Sequence, residues 1–198
     1  KVIRFNGTDK VDMHNKKDFT NQSLLKSMQE IIDYVNIFNT NKVDLSVRPR
    51  KETPLFDKDA YKEAVINAFV HNDWKRGLPP AVFMYDDRLE VFSYGELPYF
   101  LDLDAFYSGK SMPINEALFK IFLINEFSEQ SGHGVPTIVK NYGKEAFELS
   151  SNSIQVTIPF NYINVVNYQV NVSKSDNLDL KNIQLNKQLQ FKIVSDLI

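Results

Sequence analysis

The chain has 198 residues, a formal net charge of −2 at pH 7, 43% hydrophobic residues and no cysteine. This length and composition predict a globular domain with extensions and argue against disorder throughout. The lack of cysteine excludes disulfides, thiolate catalysis and zinc sites built on cysteine, and the small net charge excludes a global basic field for nucleic acid or an anionic membrane.

No apolar run approaches the roughly 18 residues of a transmembrane helix, so no contact with a membrane is expected. The charged first residues lack the apolar core of a signal peptide, and a cytoplasmic protein is therefore expected. The three histidines, His14, His71 and His133, are far apart and form no metal-binding pattern.

The N-terminal part is predicted to contain a strand, a helix and an extended segment. Residues 2–5 alternate between apolar and polar side chains before Asn-Gly, which predicts a strand and a turn. Residues 24–38 carry apolar side chains at helical spacing. Residues 40–54 are polar and are predicted to be extended or a linker. Their basic run, residues 48–51, is either a contact to DNA phosphates or simply solvated.

The middle of the chain combines a helix with a hairpin. Asp57 is a plausible N-cap for a helix over residues 61–70. Residues 81–85 and 88–92 flank Asp-Asp and predict a β-hairpin. One short helical turn is expected over residues 103–107.

The next stretch is predicted to hold two helices and a strand. Residues 115–127 place five apolar side chains on one face, including three phenylalanines that we expect in the core. Pro136 can occupy the first position of a helix continuing over residues 137–142. Residues 154–159 alternate as a strand does. Beyond Tyr162, we expect a strand over residues 165–172 and a helix over residues 186–198.

The helix over residues 61–70 carries a polar stripe. Glu63, Asn67 and His71 recur every four residues, which places them on one side of a helix. A carboxylate, an amide and an imidazole beside an apolar face are costly unless they are satisfied or used. The stripe is either a functional site or a partly exposed helix edge.

Two glycine-containing segments follow in a fixed order. Ser93-Tyr94-Gly95-Glu96-Leu97 comes directly after the predicted hairpin. Gly132-His133-Gly134-Val135-Pro136 opens a predicted helix, where free backbone N–H groups suit a phosphate. Either segment alone would be a common turn or helix start.

Together, the stripe and these two segments resemble the GHKL-type ATP-binding domain of gyrase, MutL and histidine kinases. The closer resemblance is to the divergent branch in Schlafen/AlbA-type, RecG-related transcriptional regulators, and it covers residues 57–160. It implies an α+β fold of the Bergerat type. This is a two-layer sandwich in which helices cover one face of a mixed, mostly antiparallel sheet.

The resemblance also implies a domain order. Residues 1–56 look like the trailing end of an AlbA-type DNA-binding domain and a helical connector. Residues 57–162 would form the GHKL-like nucleotide-binding domain, and residues 163–198 a linker and the start of a winged-helix module. The implied partners are a nucleotide, and DNA through the flanking modules; a homo-oligomer is left open.

By the same resemblance, Glu63 would be the general base that activates water, and Asn67 would coordinate Mg²⁺. An amide oxygen suits this ion, which retains several waters, and a carboxylate one turn away can reach a metal-ordered water. His71 stands where the family often has an acidic residue, and Asp73 is close enough in sequence to share its role.

The remaining implied contacts are to the nucleotide. The aspartate that reads adenine is replaced by Ser93, and the second glycine of that box by Glu96, whereas Gly95 is kept. Lys110 lies in the expected lid, residues 101–113, and could substitute for a missing arginine as a phosphate partner. Gly132, His133 and Gly134 form the second glycine box, at the phosphates.

Three hypotheses follow. The first is an ATP-binding regulatory domain of a bacterial transcriptional regulator, with weak Mg²⁺-dependent ATPase activity left open. The second is a degenerate structural or dimerisation module that binds no nucleotide. The third, an ATPase that powers DNA remodelling, is disfavoured because the chain has no helicase motif and no P-loop.

Overall fold

The computed structural model describes residues 1–110, 113–125, 127 and 132–162. Six strands form a main sheet, and two more form a separate hairpin. In chain order the strands are β1 (Val2–Phe5), β2 (Met13–Lys17), β3 (Asn41–Asp44), β4 (Lys51–Pro54), β5 (Ala81–Met84), β6 (Arg88–Tyr94), β7 (Phe147–Leu149) and β8 (Ser153–Pro159).

The main sheet has the strand order β2-β1-β5-β6-β8-β7, and β3 pairs with β4. Strands β1 and β5 are parallel, with Val2 opposite Val82, whereas the other pairs are antiparallel. The sheet is therefore mixed and mostly antiparallel, as predicted. Because β1 belongs to it, the N-terminal segment shares a sheet with the part after residue 57. The domain boundary at residue 56 stays a prediction.

In the described residues, five α-helices accompany the strands: α1 (Leu24–Asn36), α2 (Lys58–Val70), α3 (Leu103–Tyr107), α4 (Glu116–Ile124) and α5 (Gly134–Tyr142). Helix α2 is the central one, because it contacts β6 and β8 as well as α1, α4 and α5. This layer of helices on a sheet confirms the α+β, two-layer class. None of the helices in the described residues is long and apolar enough to cross a bilayer.

The core lies between α2 and the sheet. Leu89 and Val91 of β6 alternate with outward residues and are buried, as is most of α2. Tyr61 is fully buried, and its hydroxyl donates to the carbonyl of Ile31 at 3.1 Å, which joins α2 to α1. Asp57 caps α2 as predicted, because its carboxylate accepts from Ala60 N–H at 2.7 Å.

Several predicted boundaries differ from the structure. Helix α4 ends at Ile124, where the Asn125 amide donates to the Ile121 carbonyl at 2.8 Å. Helix α5 begins at Gly134, so Pro136 lies within its first turn and not at its first position. A proline is tolerated there, because the N–H group that it lacks would have no intrahelical partner. The segment after residue 40 forms the β3–β4 hairpin. Strands β2 and β7 were not predicted. The elements expected at residues 165–172 and 186–198 lie outside the described residues.

Candidate functional site

The polar stripe of α2 lines a large cavity. Glu63, Asn67 and His71 all border a space of about 550 Å³. This volume lies within the range of cavities that hold nucleotide-sized ligands. All three residues of the stripe therefore border one common space.

Four other parts of the fold complete the cavity. Strands β6 and β8 form its floor, the segment before and after α3 covers it, α4 closes one side, and the start of α5 closes the other. Its apolar lining comes from side chains that carry no chemical signature in the sequence: Val91, Leu97, Pro98, Leu101, Phe106, Ile114, Phe119, Ile138, Phe147, Ile154 and Val156.

The start of α5 comes very close to the stripe. A Cβ placed on Gly134 would lie 2.6 Å from Glu63 Oε2 and 2.8 Å from Asn67 Nδ2, so the site accepts only glycine without rearrangement. The Nδ2 atom of Asn67 is buried and has no hydrogen-bond partner among the described residues. A buried amide in this state is costly, which favours a ligand at this point.

The lid and the second glycine segment meet backbone to backbone. A Cβ on Gly109 would clash with the carbonyl of Gly132, and both glycines have positive φ, +87° and +68°. Residues with a side chain rarely adopt a positive φ, whereas glycine does so readily. Lys110 follows at the rim of the cavity and forms no ion pair with another described residue. Its ammonium is thus available to an anion.

Ser93 lies in the floor of the cavity. It is only 5% exposed, and its hydroxyl is 3.5 Å from the Ile154 carbonyl, the limit of a hydrogen bond. A hydroxyl can both donate and accept, so Ser93 can meet either kind of polar group on a ligand. Glu96 borders the same space from an exposed position.

Two predicted residues lie outside the cavity lining. The Asp73 carboxylate caps a short 3-10 helix through Lys75 N–H and pairs with Arg76 at 2.9 Å. Gly95 packs behind the stripe, where an added Cβ would be 3.3 Å from the His71 carbonyl. Neither residue borders the space. Their assigned ligand roles stay predictions.

The two histidines near the site differ in environment. His71 ends α2, and burial lowers its pKa to about 4, so its imidazole is neutral at pH 7. His133 is exposed and precedes α5 without a side-chain hydrogen bond to the helix start. The first N–H groups of α5 therefore receive no cap from the residue before them.

Asn72 was not among the predicted site residues, although its side chain links the end of α2 to the floor of the cavity. Asn72 is 1% exposed. Its amide nitrogen donates to the Leu78 carbonyl at 2.9 Å, and its oxygen accepts from Tyr94 N–H at 3.0 Å. It thereby joins the end of α2 to β6. An asparagine just past a predicted helix is a common cap, so nothing in the sequence marked this one.

Metal binding by side chains alone is not built into the described part of the chain, where no three His, Cys, Asp or Glu residues cluster closely enough. The side chains beside the start of α5 are the Glu63 carboxylate and the Asn67 amide, which would present its oxygen after a rotation that exchanges Oδ1 and Nδ2. This set suits Mg²⁺ shared with a ligand's phosphates better than a cage made only of protein.

The comparisons with known proteins point to an ATPase-like domain. Residues 77–160 match a family model described as "Putative ATP-dependent DNA helicase recG C-terminal". No curated protein matches the chain. Among solved structures, the chain is similar to the DIP2311 protein from Corynebacterium diphtheriae, with a TM-score of 0.66 and 20% identity over 80% of this chain and 34% of that one.

The structural similarity shows a shared fold, and this chain spans about a third of the length of the DIP2311 protein. The family match begins after α2, so it includes the floor, the lid and α5 but not the polar stripe. Residues 77–160 are thus similar to the ATPase-like domain of the RecG C-terminal family.

Proposed function

We propose that this chain carries an ATP-binding regulatory domain of a bacterial transcriptional regulator. The observation that carries the proposal is the convergence of three distant segments on one cavity: the α2 stripe, the lid at Lys110 and the glycine segment that opens α5. The family match supports the nucleotide class.

The phosphates would lie at the start of α5. Backbone N–H groups at a helix N-terminus, together with the helix dipole, favour an anion. Gly132 and Gly134 keep side chains away from this end of the cavity, and Lys110 supplies a cation at its rim. These features fit a polyphosphate better than a neutral ligand.

The adenine base of the nucleotide would occupy the apolar half of the cavity. Val91, Ile138 and Val156 present buried aliphatic surface there, and Ser93 is the polar group in the floor. A flat, largely apolar ring with a few polar edges is suited to such a surface.

Mg²⁺ would be held by Asn67 and by the phosphates. Its chemistry when bound is charge neutralisation and the ordering of water. The unpartnered Nδ2 of Asn67 fits this assignment, because rotating the amide would direct its oxygen to the same point. Glu63 lies at the same place and would accept a proton from an ordered water if the domain hydrolyses ATP.

Regulation would work through the lid. The contact between Gly109 and Gly132 joins the lid to the phosphate end of the cavity. A ligand that binds better when these backbones meet stabilises that arrangement and shifts the population of lid conformations. The flanking parts of the regulator would respond to this shift.

Isothermal titration of the chain with ATP, ADP and Mg²⁺ tests the proposal. We expect saturable binding of Mg²⁺-ATP, which Asn67→Ala weakens while abolishing the Mg²⁺ dependence. Asn141→Ala, an exposed substitution on α5, is the matched control and should bind as the parent does. No heat of binding at millimolar nucleotide would refute the proposal.

A specific observation favours the alternative, a structural module without nucleotide. The Glu63 carboxylate already lies beside the first residue of α5, where an acidic group is stabilised by the helix dipole. If the domain is such a module, Glu63→Gln lowers the stability of the fold, and neither the parent nor the variant gives a heat of nucleotide binding. The same calorimetry, with a thermal melt of the variant, separates the two functions.

A further inference from the structure

The β3–β4 hairpin forms an exposed arm, defined here as residues 41–54. Every residue of this segment is exposed except Thr53, which is partly buried. Strands β3 and β4 pair in register from Asn41 opposite Pro54 to Asp44 opposite Lys51. The arm is thus a two-stranded ribbon that is separate from the main sheet.

The base of the arm is held firmly. The Asn39 side chain donates to the Phe56 carbonyl and accepts from its N–H, both at 3.1 Å. Leu55 N–H donates to the Thr40 carbonyl at 2.9 Å, and the Asn161 amide donates to the Pro54 carbonyl, also at 2.9 Å. Since Phe56 is fully buried, the arm is anchored in the core and does not behave as a loose linker.

The arm is basic although the whole chain is slightly acidic. It carries four cationic residues against two acidic ones. Both acids are engaged locally: Asp44 accepts from Ser46 N–H and Oγ, and Glu52 pairs with Arg50 at 3.0 Å. The other cations form no ion pair with any described residue; they are Lys42, Arg48 and Lys51.

The cations without an ion pair lie on one face and at the tip of the ribbon. Lys42 and Lys51 border one shallow depression together with Asp44, and so share a face. Arg50 pairs with Glu52, and side chains two apart lie on the same side of an extended strand, opposite to Lys51. Arg48 is in the connecting loop. The cations without an ion pair are therefore those of the Lys42 face and of the tip, where they can contact phosphates.

The tip adds apolar side chains to this charge. Leu45 is 78% exposed and Val47 43%, and Pro49 follows between two arginines. Apolar residues next to basic ones occur in proteins that press a wedge against base steps while their cations hold the backbone.

We propose that the arm binds duplex DNA, with its cations on the phosphates and its tip directed into a groove. Two-stranded ribbons enter the major or the minor groove in DNA-binding proteins. Phosphate contacts supply affinity and orientation without reading sequence. This site is independent of the nucleotide cavity, because none of its residues borders that space.

The test is fluorescence anisotropy of the full 198-residue chain with a labelled 30-base-pair duplex, without nucleotide, at 50 and 200 mM salt. Three phosphate contacts predict a loss of affinity of about 40-fold between these concentrations. Arg48→Ala combined with Lys51→Ala should weaken binding at least tenfold at 50 mM salt. It should also reduce the slope of log affinity against log salt by about 1.8.

The matched control removes two exposed cations elsewhere, with Lys58→Ala and Lys75→Ala, and should change affinity less than twofold. Unchanged thermal melts show that each variant is folded. The proposal is overturned if the parent chain does not bind the duplex at 50 mM salt, or if the arm variant binds as tightly as the parent. Arm-dependent binding to phosphatidylserine vesicles, with none to DNA, also overturns it.

Discussion

Replacing Gly134 by alanine separates the fold from the ligand site. The added methyl would lie 2.6 Å from Glu63 Oε2 and 2.8 Å from Asn67 Nδ2. Both atoms are at the ends of side chains, so they can move away without displacing the backbone. The substitution also replaces the glycine at the first position of α5 by alanine, which has the higher helix propensity. We therefore expect an unchanged or slightly higher melting temperature.

The same methyl should damage binding. To reach an ordinary contact, the two side chains must move by about 0.5 Å or more, which is the tolerance within which a binding constellation functions. We expect Mg²⁺-ATP affinity to fall about tenfold, equivalent to about 1.4 kcal/mol. Calorimetric titration gives the affinity, and a thermal melt gives the stability.

Lys140→Ala is the control on the same helix, because Lys140 is exposed and should alter neither quantity. This prediction is wrong if Gly134→Ala binds Mg²⁺-ATP as tightly as the parent. It is also refuted if the variant loses several kcal/mol of stability, because the contact would then support the core rather than the site.

Three further predictions concern the fold around the site. Asp57→Ala should cost about 1 kcal/mol in urea unfolding, because Ala60 N–H loses its cap; equal midpoints would contradict the cap. Tyr61→Phe should cost about 1 kcal/mol through the lost bond to Ile31, whereas Tyr99→Phe, at a 99% exposed position, should cost nothing. Burial lowers the pKa of His71 from 6.5 to about 4. The contribution of the neutral His71 imidazole to the free energy of unfolding is therefore fully present above pH 6.5. It is lost as the pH falls towards 4, by about 2 kcal/mol after allowance for partial exposure. His71→Gln should flatten this decline in urea midpoints measured at each pH.

Local patterns predicted the elements whose signals are contained within a few residues. The cap at Asp57, the apolar period of α1 and the turn between β5 and β6 depend on neighbours in the chain. Strands β2 and β7 were missed because their exposed or short sequences carry no alternation. Their place in the sheet comes from pairing with β1 and β8.

The arm, too, combines features that local sequence patterns indicated with features that depend on distant contacts. Its sequence is polar and resembled a linker, but hydrogen bonds from Asn39 and Asn161 hold its base. Those partners lie 17 and 107 residues away from the atoms they bind, so no local pattern could indicate them. The basic residues were visible in the sequence, whereas their placement on a fixed ribbon was not.

For the candidate site, spacing alone predicted that Glu63, Asn67 and His71 share one side of a helix, because helical geometry depends only on spacing. It also placed a glycine-rich helix start later in the chain. No local pattern indicated that Gly134 lies against this stripe, that Gly109 meets Gly132, or that Asp73 and Gly95 lie outside the cavity. These outcomes depend on how α2, α5 and the lid pack together, and packing is decided by contacts between segments distant in sequence.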